Sequence, residues 1–152
     1  MSSFSTQMLG PIVGLNLWTF VIEGWMYATR IPATVRAQKT GKLTMRPDMT
    51  KEEYNGALPA NVRWKADNYN HLMEQPLQFY AIALVVAQLG RGNKVDLGLA
   101  WAYVGIRVVH SLVQCLSNKI PTRFGIFLAS SGVLAALTPH LIPNTGDATA
   151  NP

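Results

Sequence analysis

Four stretches of this chain are apolar almost throughout, at about residues 8–29, 72–89, 95–116 and 121–141. Each is close to the roughly 20 residues a helix needs to cross a hydrocarbon core. The second closes at Gly90-Arg91-Gly92-Asn93, the third at Ser117-Asn118-Lys119, and the fourth near Pro139 and Pro143. Opening residues MSSFSTQ lack the basic region of a signal peptide, so the first stretch reads as a retained span. The pattern predicts an all-α integral membrane four-helix bundle, one domain over residues 1–152.

Polar residues interrupt these stretches at helical spacing. Asp67, His71, Glu74 and Gln78 repeat at intervals of three and four, with Asn70 beside them, and so do Tyr103, Arg107, His110 and Gln114. Asn16, Phe20, Glu23, Tyr27 and Arg30 make a third, weaker stripe. In lipid such faces turn inward and find partners, because an exposed charge there costs several kcal/mol. Arg107 is expected to pair with Glu23 or Glu74, relieving both desolvation penalties. Asn16, Tyr27 and Tyr103 read as packing residues and His140 as an interfacial one.

Between the first two spans lies one long polar connection, about residues 30–66. Thr50 and Glu53 within it have the spacing of a capping box, which predicts a short helix. Eight of the 13 Lys and Arg residues fall there: Arg30, Arg36, Lys39, Lys42, Arg46, Lys51, Arg63 and Lys65. By the positive-inside rule this loop is cytoplasmic and both tails lie on the other side, with Arg91 and Lys94 the only counterweight. A bacterial inner membrane is the favoured location, with an endomembrane as the alternative. The formal net charge of +5 sits on a sequence that is 49% hydrophobic and 14% charged, which argues for a lipid bilayer partner and against nucleic acid. A single cysteine, Cys115, forms no intrachain disulfide. His71, Glu74 and His110 invite a metal reading, but the ligand set is thin and lacks a repeated Glu-x-x-His motif, and no metal is expected.

ADNYNHLMEQPLQFYA, followed by AYVGIRVVHSLVQCLSNKIPTRFGIF, resembles the MAPEG family, membrane-associated proteins of eicosanoid and glutathione metabolism. The chain is similar in span number, loop and length, in the Arg107-Val-Val-His110 run with Pro121 and Arg123 beyond it, and in Glu74 followed by a proline. It reads as a divergent, bacterial-type member. The resemblance implies a homotrimer with glutathione as co-substrate, bound between subunits near the cytoplasmic end. Carried over by position, the site residues are Asn70, His71, Glu74, Arg107, His110 and Gln114 as ligand contacts and Arg123 as the catalytic cation that favours the thiolate. Glu74 would hold the ligand's amino group or orient Arg107.

Two departures stand out. Asn70 and His71 occupy the positions of an Arg-Asn pair in the family's enzymes, and Gln114 replaces a tyrosine; Phe124 also follows Arg123 where some members carry serine. The functional expectation is a glutathione S-transferase or peroxidase acting on a lipophilic small molecule, an electrophile or hydroperoxide. The alternative is a non-catalytic scaffold or accessory subunit of a larger membrane complex. Apart from the resemblance, Arg123 also reads as a positive-inside anchor and His110 as an interhelical hydrogen-bonding residue.

Overall fold

The computed structural model describes residues 3–90 and 92–139. Arg91, His140 and the C-terminal tail lie outside the described residues. Six helices follow one another among them: α1 (Ser3–Lys39), α2 (Lys51–Gly56), α3 (Ala60–Glu74), α4 (Leu77–Leu89), α5 (Lys94–Leu116) and α6 (Ile120–Leu137).

α1 is longer than its apolar stretch. Its 37 residues make a rod of about 55 Å at 1.5 Å per residue, well beyond a hydrocarbon core of about 30 Å. Arg30, Arg36 and Lys39 therefore continue the helix instead of opening a loop. Gly41 ends it, with φ +70° and the paired bonds Lys42 N to Ala37 O and Gly41 N to Gln38 O, at 2.9 and 3.1 Å, that define a Schellman stop. The expected short helix is present as α2. Thr50 Oγ1 accepts from Glu53 N and the Glu53 carboxylate accepts from Thr50 N, closing the capping box. A small cluster of Ala37, Leu43, Leu58 and Val62 fastens the connection to the extended end of α1. Arg30 adds a 3.0 Å bond to Asn55 and lies 4.7 Å above the Tyr54 ring.

The second span is not one regular helix. Helical structure begins at Ala60, twelve residues before the apolar stretch, and breaks at Gln75-Pro76 before resuming as α4. Pro76 has no N–H to donate, and its ring conflicts with the carbonyl four residues back, so the ladder cannot run through. Gly90, at φ +66°, ends α4 where the sequence predicts. α5 opens on a second capping box: Asn93 Oδ1 accepts from Val95 N and Asp96 N, while Asp96 accepts from Asn93 N. Asn118, left-handed at φ 50°, turns the chain into α6, which has Pro121 in its first turn.

α1 packs on α3, α4 and α5, α5 also packs on α3 and α6, and α5 thereby sits at the centre. The main core joins Met8, Leu15 and Ile22 of α1 to Leu72, Phe79 and Ala83 of the broken span and to Ala100, Tyr103 and Val104 of α5. Large apolar side chains stand on the outward faces, Leu17 (59% exposed), Leu77 (69%), Leu116 (64%) and Phe124 (62%) among them.

Candidate functional site

Contacts between α3 and α5 establish that the two helices run antiparallel. Lys65 Nζ lies 3.4 Å from the Cys115 carbonyl, Arg107 meets His71, and Tyr103 reaches Gln75. α6 returns alongside α5 after the Asn118 turn. The three elements converge around a cavity of about 410 Å³ lined by His71 of α3, His110 of α5, and Ile120, Arg123, Phe124 and Phe127 of α6. Its volume falls within the range of small-molecule sites, about 300–1,000 Å³.

Four of the residues singled out from sequence meet here. The His71 and His110 rings lie 5.0 Å apart, and Phe127 stands 5.7 Å from His71 on the other side. Arg107 is fully buried behind them; its Nη1 is 3.4 Å from His71 Nε2 and its Nη2 3.5 Å from the His71 carbonyl oxygen. Arg123 is half-buried at the rim and donates a hydrogen bond to the Asn118 side chain. Among the described residues no carboxylate lines the cavity, so the Arg123 guanidinium and two imidazoles at the wall, with the charge of Arg107 behind them, leave it suited to an anion. Ile120, Phe124 and Phe127 of α6 add aliphatic and aromatic side chains to the lining, so polar and apolar groups share the cavity.

Three expected residues stand elsewhere. Glu74 is exposed at the end of α3, Asn70 is half-buried beside the cavity without lining it, and Gln114 is 2% exposed in the core with Oε1 unpartnered. The expected pairing of Arg107 with Glu23 or Glu74 is not made; Arg107 meets His71 instead, while Arg46 pairs with Asp48 and Glu53 in the connection. The reason is a rotation of α3. Its buried face carries Lys65, Asn68 and Leu72, continued by half-buried Gln75, so Asp67 and Glu74 are exposed, as is Gln78 of α4. Asn68 and Ser111 are both 0% exposed with unpartnered side-chain atoms, and in the sequence each stands one residue from a more conspicuous polar stripe, at Asp67 and at His110. Asn118 was read only as a span terminator, and its hold on Arg123 is a tertiary fact.

A sequence model of the MAPEG family matches residues 8–142, nearly the whole chain. The chain belongs to the MAPEG family. MAPEG proteins are membrane proteins of glutathione and eicosanoid metabolism, and two described helices of this one, α5 and α6, are long and apolar enough to cross a bilayer. α4, at 13 residues or about 20 Å, is too short to cross without the end of α3. Neither a curated protein nor a solved structure matches this MAPEG chain.

Proposed function

We propose that the cavity binds glutathione and that this MAPEG protein is a glutathione S-transferase or peroxidase acting on lipophilic electrophiles or hydroperoxides. The observation that carries the reading is the composition of the wall: Arg123 with His71 and His110, Arg107 behind them, no carboxylate among the described residues, and the aromatic side chains of Phe124 and Phe127. Glutathione brings two carboxylates and a thiol. A guanidinium fork binds carboxylates bidentately, and a fixed positive charge near a thiol favours its ionised form. In this reading Arg123 holds a carboxylate and raises the thiolate fraction, while Arg107, buried behind the histidines, adds positive charge to the site. The thiolate then attacks an electrophilic carbon and displaces its leaving group. With a hydroperoxide it attacks oxygen, leaving a sulfenic acid and an alkoxide that takes up the proton released by the thiol. The lipophilic partner reaches the apolar wall from the bilayer, and Asn70 and Glu74 contribute from a neighbouring copy's side of a homotrimer.

The topology that accompanies this reading has four spans, α3 and α4 together forming the second, with the basic connection cytoplasmic in a bacterial inner membrane. A second reading, a non-catalytic subunit of a larger membrane complex, draws on one observation: no hydroxyl or thiol lines the cavity, and Gln114 is directed into the core. Calorimetric titration of the purified protein with glutathione, with thiolate absorbance followed against pH, tests both. Binding with a lowered thiol pKa supports the enzyme. Absence of binding at millimolar glutathione ends the enzyme reading in favour of the second.

A further inference from the structure

The break at Gln75-Pro76 lies one turn below His71, and the helix cannot hold its own angle there. Proline removes a ladder bond and crowds the preceding turn, so the relative orientation of α3 and α4 must be imposed by neighbours. Two residues of α5, one turn apart, straddle the break. Tyr103, fully buried, donates a 2.7 Å hydrogen bond to Gln75 Oε1 inside the break, and its ring stacks on Phe79 of α4 at 4.5 Å and 13°. Arg107 faces the last turn of α3 through the His71 ring and carbonyl. A helix with a proline break is thus clamped from one side at His71, Gln75 and Phe79.

We infer that Tyr103 and Gln75 are positioning residues: their hydrogen bond sets the angle of the proline break and thereby places the His71 ring against His110 in the cavity. Neither residue lines the wall formed by His71, His110 and Arg123, so both act through the backbone of α3. The ring stack orients Tyr103, and the hydroxyl supplies the register, since an offset stack alone tolerates sliding. Loss of the bond lets the last turn of α3, which begins at His71, rotate and carry the His71 ring with it. The inference rests on the cavity being the working site, but its primary readout does not require glutathione.

The test uses the full-length protein in detergent with isotopically labelled histidine, the His71 ring resonances being assigned by substitution. Tyr103→Phe keeps the ring and loses the hydroxyl; Gln75→Leu removes the same bond from the other side. Both should displace the His71 resonances in the same direction and, where glutathione binds, weaken it by roughly fivefold, the worth of one hydrogen bond. Pro76→Ala restores the missing ladder bond, so in that background Tyr103→Phe should leave His71 unmoved. Unchanged His71 resonances in Tyr103→Phe, or an equal displacement with and without Pro76, would overturn the inference. If no variant binds glutathione while His71 still responds through Pro76, the positioning role stands and the glutathione reading falls.

Discussion

Arg107 and Arg123 differ in burial, and that difference separates their expected effects. Arg107 is 0% exposed, with its guanidinium against His71, so Arg107→Ala leaves a large void and frees one side of the proline break. A loss of about 2–4 kcal/mol is expected in a thermal or denaturant melt. Arg123 is half-buried at the rim, so Arg123→Ala should change stability little, weaken glutathione binding, and raise the pH at which thiolate absorbance appears. Arg123→Lys should recover more of the thiolate effect than of the affinity, because an ammonium supplies charge without the planar fork. Gln114→Tyr, designed to restore a phenol, meets a closed core at 2% exposure. It should cost about 1–3 kcal/mol by overpacking before any gain in turnover is seen.

At the scale of elements, local chemistry explains where most helices stop and start. Asn93→Ala removes the acceptor for two amides at the start of α5 and should lower stability by about 1 kcal/mol, read as a drop in melting temperature. The capping box of α2 carries a pH dependence. The Thr50 backbone N–H, and after it the Arg46 charge, holds the Glu53 carboxyl below its ordinary value. A depressed carboxylate contributes stability above its unfolded pKa and loses it as pH falls through the folded one. Amide protection factors over residues 50–57, corrected for the intrinsic exchange rate, should therefore fall as the solution is acidified below the ordinary glutamate range, and Glu53→Ala, which removes the acceptor, should show reduced protection already at neutral pH. These caps were legible because Thr50–Glu53 and the Gly90 stop depend on neighbours within a few residues. The starts of α3 and the end of α1 were not: charged residues such as Arg36, Lys39, Arg63 and Lys65 have good helix propensity, so the helices run on past the apolar stretches that announce them.

At the scale of the molecule, the outward faces mix apolar side chains with Asp67, Glu74 and Gln78, a combination lipid alone does not satisfy. The expected trimer would cover that stripe, and mass photometry in mild detergent should give a single species at three times the chain mass. Monomer alone would count against it. Sidedness has its own measurement. With Cys115 replaced by serine, single cysteines at Lys42 and Lys94, both exposed and at opposite ends of the spans, should react with impermeant reagent from opposite sides. Labelling of both from one side would exclude the proposed four-span topology.

Hydrophobic periodicity by itself determined the helical class, the apolar stretches, and the grouping of Arg107 with His110, because residues three or four apart share a face whatever surrounds the helix. Proximity in sequence likewise brought Arg123 to the same end through a short turn. What only the tertiary structure decided is rotation and angle. Polar residues lie on two adjacent faces of the broken second span, one through Lys65, Asn68 and Gln75 and one through Asp67, Glu74 and Gln78, and periodicity ranks neither above the other. The choice follows from contacts distant in sequence: Tyr103 on Gln75, Arg107 on His71, Lys65 on the Cys115 carbonyl. Those contacts bury Asn68, expose Glu74 and leave Arg107 facing an imidazole instead of a carboxylate, because a helix broken by proline takes its orientation from the helix packed against it.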